Sequence, residues 1–173
     1  MEHLFCYNTP IGRIGILDDG SAITEIRFLP GARNTQSGEP GCSADTDPAA
    51  SDRVWEETEL IREAFQELSE YFKGFRKEFQ VPLNPRGTEF QQSVWKVLQS
   101  IPYGETRSYG QVAAEAGNPK AARAVGMANN RNPIPIMIPC HRVIGADGRL
   151  IGYGGGLPIK EYLLRLEKKK SNA

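Results

Sequence analysis

The residues of this sequence best suited to chemistry are Cys140 and its two neighbours, His141 and Arg142, in the segment IPCHRV at positions 138–143. A reactive cysteine needs its pKa lowered below the free value of about 8.5 by a nearby cation or hydrogen-bond donor. His141 and Arg142 are groups of that kind. Adjacent side chains point in different directions, so we expect one water molecule to bridge Cys140 and His141. The segment predicts an activated thiolate nucleophile.

Two other interpretations of Cys140 stay open at this level. Cysteine is among the most buried residue types, and a lone cysteine after an apolar, proline-rich segment can be an inert part of the core. A structural metal site is the second alternative, but only His3 and His141 accompany three cysteines that lack paired ligand spacing, so we expect no metal. The odd cysteine count without a CxxC pair favours a reducing compartment over a disulfide framework.

The composition of the 173-residue chain, with 39% hydrophobic and 24% charged residues, is typical of a globular protein. It excludes a chain that is disordered throughout. The N-terminus has no secretory pattern, and no apolar stretch approaches the roughly 20 residues of a membrane span. We therefore expect a cytoplasmic location.

The net charge of zero hides an asymmetry between two halves of the chain. Residues 1–86 carry a net charge of −6 and residues 87–173 a net charge of +6. The segment PLNPRG at 82–87 separates them and is the predicted domain boundary. A basic half is the electrostatic footprint expected of a DNA-binding surface, although basic patches also arise as solvated faces.

The acidic half predicts a small α/β domain. Alternating apolar residues predict antiparallel strands at 4–7, 11–17 and 22–29, with Asp19 and Gly20 in a hairpin turn. Residues 30–51 are rich in small and polar residues, which predicts a flexible loop. Apolar residues then recur at helical spacing from Val54 to Phe72, and residues 79–83 predict a closing strand.

The basic half predicts short helices with clear boundaries. Thr88 with Gln91 and Ser108 with Gln111 have the spacing of capping boxes, each ahead of an apolar helical stripe. Trp95 lies on the first stripe and is expected in the core. A C-terminal helix is expected to bury the stripe formed by Ile159, Tyr162, Leu163 and Leu166.

A helix-turn-helix is indicated between the second and third helices of this half. Gly117 supplies the positive φ that ends one helix, Asn118 can cap the next, and Pro119 can open a helix that reaches about Asn129. Two short helices joined by a tight turn are typical of this DNA-binding motif. The alternative is a close helix–helix contact without nucleic acid.

The segments IPCHRVIG at 138–145 and GNPKAARAVG at 117–126 resemble the methylated-DNA–protein-cysteine methyltransferase family, also called O6-alkylguanine-DNA alkyltransferases. The likeness runs from about Thr88 to Glu167, whereas the acidic half agrees only in size and pattern. It implies an α/β N-terminal domain, ribonuclease H-like with an antiparallel sheet plus helix, and a mostly helical C-terminal domain with a winged helix-turn-helix. It also implies a monomer that binds double-stranded DNA in the minor groove, flips a guanine, and moves its O6-alkyl group irreversibly to a cysteine without a cofactor. O4-alkylthymine is a second candidate substrate.

The resemblance implies catalytic roles for five residues. Cys140 is the nucleophile and the final alkyl acceptor. His141 acts as the base through water, and Glu167 orients the imidazole and balances its charge. Asn132 holds the active-site turn. Tyr109 donates a hydrogen bond to the flipped guanine, so that the base leaves neutral.

DNA contacts and a base pocket are implied as well. Arg123 fills the gap left by the extruded nucleotide, which offsets part of the cost of unstacking. Glycine stands at 154, where some family members have serine, so a hydroxyl contact there is missing. The implied DNA-binding residues are Lys120, Ala121, Ala122, Arg123, Gly126 and Tyr109, and the implied pocket residues are Met127, Val143, Tyr153, Gly154 and Gly155.

Two other function classes stay open. A non-catalytic lesion-binding protein would keep the fold but replace the cysteine, so Cys140 argues against it. A cysteine hydrolase built from Cys140, His141 and Glu167 would turn over, because a thioester can be hydrolysed and a thioether cannot.

Overall fold

The computed structural model describes residues 1–29 and 53–171. The chain divides into two compact units, Met1–Pro85 and Arg86–Ala173. The loop predicted at residues 30–51 lies outside the described residues. Among the helices of the described residues, none is long and apolar enough to cross a membrane.

The first unit is a four-stranded sheet covered by one helix. Strands β1 (Glu2–Thr9), β2 (Gly12–Asp18) and β3 (Ile23–Phe28) form an antiparallel meander, as predicted. Strand β4 (Arg53–Trp55) pairs parallel with β1 and completes the order β3-β2-β1-β4. The predicted closing strand at 79–83 is wrong, because this segment makes only a single bridge, between Ile23 and Leu83.

Helix α1 (Glu59–Phe72) packs on this sheet through Ile61, Ala64 and Leu68. It begins where the Thr58 hydroxyl accepts a hydrogen bond from the Ile61 N–H, which is an N-cap. The prediction that the helical stripe starts at Val54 is wrong. Val54 lies two helical turns before Ile61 and so fits the spacing by coincidence, but it belongs to β4.

The cysteines differ from the sequence expectation. Cys6 is buried in the first unit and is disulfide-bonded, whereas the cysteine pattern favours a reducing compartment over a disulfide framework. Cys140 is the free cysteine of the described residues, and it is buried.

The second unit is mostly helical. Both predicted capping boxes are confirmed, at Thr88 and at Ser108. Trp95 is buried, and its indole N–H donates to the Ala128 carbonyl at 2.9 Å. The elements in chain order are α2 (Glu89–Gln99), β5 (Arg107–Ser108), α3 (Tyr109–Glu115), α4 (Ala122–Asn130), a 3₁₀ turn (Cys140–Arg142), β6 (Val143–Ile144) and α5 (Leu157–Ser171).

Helices α3 and α4 flank the predicted tight turn, in which Gly117 has a φ of 90°. The prediction that the second helix starts at Pro119 is wrong, because α4 begins at Ala122. The Asn118 side chain accepts from the Lys120 N–H at 3.3 Å, and its carbonyl accepts from the Ala121 N–H at 3.0 Å. Asn118 therefore stabilises the turn rather than capping the helix.

The C-terminal helix α5 matches the predicted buried stripe only in part. Leu163 is buried as predicted, and Ile159 and Leu166 are half-buried, but Tyr162 is 39% exposed. The other buried residues of the helix are Lys160 and Glu167. Two charged side chains inside a helical unit are costly unless they are paired. Their partners lie around Cys140.

Candidate active site

Cys140 follows a sharp turn in a buried segment. Pro139 has φ −80° and ψ 65°, and the Cys140 N–H donates to the Ile138 carbonyl at 2.7 Å across it. These values are those of an inverse γ-turn. The turn ends the apolar segment and starts the 3₁₀ turn, so the backbone direction at the thiol is fixed by a proline.

Asn132 ties this segment together. Its amide nitrogen donates to the Ile138 carbonyl at 2.8 Å, and its amide oxygen accepts from the Ile134 N–H at 3.0 Å. The same side chain hydrogen-bonds the Cys140 thiol. The loop it encloses holds Ile136 at a φ of 74°, a conformation that costs a β-branched residue of order 1–3 kcal/mol. The Asn132 bonds help to hold that strained backbone.

The ionisation of Cys140 differs from the sequence expectation. Burial raises the pKa of Cys140 to about 11, although Asn132, Lys160 and the backbone N–H groups of Cys140 and His141 lower it in part. The expected lowering of the pKa is therefore wrong for the free protein. The same holds for the expected contribution of Arg142, because its guanidinium is directed to Glu167 and to the Ile101 carbonyl. At neutral pH the group is a thiol, and it needs a base.

His141 is placed to be that base. It is fully buried, and its Nε2 is hydrogen-bonded to the Glu167 carboxylate. Because the carboxylate is an acceptor, we assign the proton to Nε2, which leaves Nδ1 as the basic nitrogen. Nδ1 is buried and has no hydrogen-bond partner within the described part of the chain. Burial lowers the pKa of His141, and Glu167 raises it in part.

Glu167 is an ionised carboxylate that accepts hydrogen bonds from several groups. Besides His141, it accepts from Arg142 Nε at 2.7 Å and from the Gly104 N–H at 3.3 Å. Burial alone would raise the pKa of Glu167, but His141 and Arg142 lower it to about 2. The charge therefore persists across the physiological range, and it can stabilise an imidazolium at His141.

Lys160 is a residue of the site that sequence reasoning missed. It is fully buried, and its ammonium donates to the carbonyls of Val143, Ile151 and Gly152 at 2.6, 3.0 and 3.3 Å. Burial lowers the pKa of Lys160, and Cys140 raises it in part. The ammonium thus joins the strand after the nucleophile to the loop that precedes Tyr153. In the sequence, the only local sign that Lys160 is buried is its helical spacing with Leu163.

Two tyrosines lie within electrostatic range of the thiol. Tyr109 opens α3, and its hydroxyl donates to the Ile151 carbonyl at 2.8 Å. Burial raises the pKa of Tyr109 and of Tyr153, and the Cys140 charge raises both further. Gly154 is exposed, with no atom within 4 Å of an added Cβ, and Gly155 is half-buried.

The remaining predicted residues lie on or next to α4. Arg123 and Lys120 are exposed, and Ala121 and Ala122 are half-buried. Gly126 lies against the Tyr109 ring, 3.7 Å from an added Cβ. Of the two further predicted pocket residues, Met127 is 57% exposed on α4, whereas Val143 is fully buried.

The arrangement can carry out nucleophilic catalysis. It brings together Cys140, Asn132, His141 and Glu167, which correspond to a nucleophile, its hydrogen-bond donor, a base and a carboxylate that orients the base. Among residues 1–29 and 53–171, no three His, Cys, Asp or Glu residues converge to hold a metal ion.

Known protein families and individual relatives match nearly the whole chain. Residues 5–85 match the family model for the 6-O-methylguanine DNA methyltransferase ribonuclease-like domain, and residues 89–169 match the model for its DNA binding domain. A methylated-DNA–protein-cysteine methyltransferase of Methanosarcina acetivorans is 49% identical over 93% of this chain and 95% of its own length. One from Mycobacterium tuberculosis is 48% identical over 100% of this chain and 96% of its own length.

Solved structures resemble this chain over nearly its whole length. The crystal structure of Mycobacterium tuberculosis OGT in complex with DNA has a TM-score of 0.83 and 45% identity, covering 97% of this chain and 94% of the other. An O6-methylguanine DNA methyltransferase from Methanococcus jannaschii has a TM-score of 0.63 and 26% identity, covering 94% and 92%. The predicted fold class and family are confirmed: the chain belongs to the methylated-DNA–protein-cysteine methyltransferase family.

Proposed function

We propose that this protein repairs O6-alkylguanine in double-stranded DNA by moving the alkyl group to Cys140, once per protein molecule. The observation that carries the proposal is the pairing of a buried free thiol with His141, whose Nε2 is held by Glu167 and whose Nδ1 has no partner in the described residues. The relatives are methylated-DNA–protein-cysteine methyltransferases, which is the same reaction class.

The reaction conserves protons without an external acid. His141 Nδ1 takes the Cys140 proton, with the predicted water as the bridge, and Glu167 stabilises the imidazolium. The thiolate then attacks the alkyl carbon in line, so that an S–C bond forms and the C–O6 bond breaks. The electron pair goes to the guanine, which takes one proton in place of the alkyl group, with Tyr109 as its hydrogen-bond donor. The proton lost by Cys140 equals the proton gained by the base.

The thioether product explains why each protein molecule reacts only once. The thioether at Cys140 has no acyl carbon that water can attack, so the nucleophile is not regenerated. No metal or cofactor is needed for this step, because sulfur is a soft nucleophile and the leaving base is neutral. A cysteine hydrolase would instead release its product and react again.

DNA is bound through α4 as a monomer in the minor groove. In the described part of the chain no side chain caps the start of this helix, so its first N–H groups can meet a phosphate, with Lys120 exposed just before them. Half-buried Ala122 and Gly126 are small enough for the backbone to approach a groove closely. Exposed Arg123 replaces the flipped nucleotide. We also propose a cytoplasmic location, because the reaction needs Cys140 as a free thiol and access to DNA.

Peptide mass spectrometry tests the reaction. After incubation with duplex DNA that carries one O6-methylguanine, we expect one methyl group on the Cys140 peptide and an equal amount of restored guanine. The matched Cys140→Ser variant should bind this DNA and repair nothing. Catalytic loss of the lesion, or a methyl group on Cys6 or Cys42, would contradict the proposal. A parallel duplex with O4-methylthymine tests the second candidate substrate.

The role of Arg123 is tested separately from chemistry. Arg123→Ala should slow repair of the duplex lesion at least tenfold but leave the reaction with a free O6-alkylguanine base unchanged, because only the duplex needs a flipped nucleotide. Arg165→Ala, at an exposed arginine of α5, is the matched control. Equal loss with both substrates would place Arg123 in the chemistry instead.

A further inference from the structure

The Glu167 carboxylate is shared between His141 and Arg142. One oxygen is bonded to His141 Nε2, and the other accepts from Arg142 Nε at 2.7 Å. Arg142 is itself buried and fixed, since its Nη1 donates to the Ile101 carbonyl at 2.7 Å and its guanidinium lies 5.7 Å from the Tyr103 ring centroid. The proposed reaction uses His141 and Glu167 but gives Arg142 no role.

A carboxylate that serves two cations attracts each of them less strongly than it would attract one alone. A proton added to His141 would place an imidazolium and a guanidinium on the same carboxylate, and the two positive charges repel. The Arg142 charge cannot be released, because a guanidinium does not lose its proton in proteins. Arg142 therefore limits how far the Glu167 carboxylate can offset the effect of burial on His141.

We propose that Arg142 is a positioning residue of the alkyl-transfer reaction, which fixes the Glu167 carboxylate and limits how strongly that carboxylate draws a proton onto His141. This inference rests on the proposed function, because it concerns the base of that reaction. Its consequence is counterintuitive. Removing the positive charge of Arg142 makes Cys140 easier to deprotonate, since the imidazolium that receives the proton then has Glu167 to itself.

Other ionisable groups surround Cys140 and His141 and also affect their ionisation. Arg142 lowers the pKa of His141, although less than burial does, and so does Lys160. The ionisable groups packed around the thiol and the imidazole are Glu167 and Lys160 on α5, Arg142 on the 3₁₀ turn, Tyr103 after α2, Tyr109 on α3 and Tyr153 before α5. The main comparison therefore changes Arg142 alone, and Glu167 is changed only in the separate variants that test the path through the carboxylate.

The experiment measures the rate at which iodoacetamide alkylates Cys140 between pH 5 and pH 10, with the modified peptide counted by mass spectrometry. The full chain is used without DNA. Arg142→Met removes the charge and keeps the length of the side chain, and Arg165→Met is the matched exposed control. The Glu167→Gln variant, alone and combined with Arg142→Met, tests whether the effect passes through the carboxylate. Circular dichroism and Trp95 fluorescence check that each variant is folded.

We expect Arg142→Met to raise the alkylation rate at neutral pH, below the ionisation midpoint of the thiol. A more basic His141 that gives about tenfold more of the thiolate–imidazolium pair gives a rate about three- to tenfold higher, because a less basic thiolate is less nucleophilic. The increase should vanish in the Glu167→Gln background. The chain has only two histidines, so imidazole nitrogen resonances assigned with a His3→Gln variant should also show His141 protonating at higher pH.

Three results would overturn the inference: an unchanged alkylation rate in folded Arg142→Met, a lower rate, or a higher rate that persists without Glu167. A lower rate would show that the Arg142 charge acts on the thiol directly, and a persisting increase would show that it acts on His141 without the carboxylate. If Arg142→Met does not fold, Arg142→Lys takes its place and should give a smaller increase, because one ammonium cannot hold both Glu167 and the Ile101 carbonyl in the same geometry. Methyl transfer from DNA is measured independently, so failure here leaves that test intact.

Discussion

Replacing Glu167 with glutamine should destabilise the second unit and remove part of its acid sensitivity. The change keeps the shape of the side chain but deletes the charge that His141 and Arg142 share. Arg142 would then be a buried cation without a counter-charge, which is among the more costly single changes that a protein can undergo.

The magnitude follows from the ionisation of Glu167. Its pKa is lowered from 4.5 to about 2, which corresponds to roughly 3 kcal/mol at neutral pH. Breaking a buried ion pair by removing one partner typically costs 3–5 kcal/mol, so the two estimates agree. Because the folded-state pKa lies below the unfolded one, this stabilisation is complete above about pH 5. It is lost as the pH falls through 4.5 toward 2.

Denaturant unfolding can isolate this effect in the second unit. Trp95 lies in that unit and Trp55 in the first, so a Trp55→Phe background reports the second unit by fluorescence. We expect Glu167→Gln to lower the free energy of unfolding by about 3 kcal/mol at pH 7, and the difference from wild type to shrink as the pH approaches 3. Glu161→Gln removes an exposed helical pair with Arg165 and should cost less than about 0.5 kcal/mol.

A loss below about 1 kcal/mol, or a difference that does not change with pH, would refute the reasoning. Either result would mean that Glu167 is not an ionised partner of His141 and Arg142 in the folded protein.

Three further predictions test the rest of the site. Asn132→Ala removes both hydrogen bonds that close the Ile136 turn, so it should lower the free energy of unfolding by about 2 kcal/mol. It should also slow the alkylation of Cys140 by iodoacetamide, and an unchanged rate would exclude a contact between Asn132 and the thiol. Lys160→Met should slow methyl transfer at least tenfold while DNA affinity in a gel-shift assay stays within twofold, because its three carbonyl partners position the loop but lie off α4; equal losses would contradict this. Gly154→Ser should change the unfolding free energy by less than about 0.5 kcal/mol, since the added Cβ meets no atom; a larger loss in thermal unfolding would show that the loop is tighter than described.

Features set by residues a few positions apart were predictable from the sequence. Each capping box needs only a hydroxyl and a glutamine three residues later, and both form as expected. The turn at Gly117 is equally local. Val54 shows the limit of this reasoning, because a spacing of seven fits a helix, and only pairing with β1 makes that segment a strand.

The charged groups behind the nucleophile were not predictable in the same way. Lys160 and Glu167 lie on a helix whose apolar residues suggested another buried face, and their partners come from distant segments, as far as Gly104. Glu167 was named only through the family resemblance, and Lys160 not at all. The pKa of Cys140 was misjudged because the adjacent residues reveal possible donors but not burial.

The Ile151 carbonyl accepts hydrogen bonds from both Tyr109 and Lys160. A carbonyl oxygen has two lone pairs, so it holds both donors at once. When Tyr109 turns to an incoming base, the carbonyl keeps its ammonium partner. Tyr109 then exchanges one ordinary hydrogen bond for another, and the free-energy change of this exchange lies within the roughly 0.5–1.5 kcal/mol that a single hydrogen bond contributes. In the free protein, the Ile151 carbonyl holds Tyr109 in a defined position. The loop that carries this carbonyl does not have to rearrange when the Tyr109 hydroxyl moves to the base.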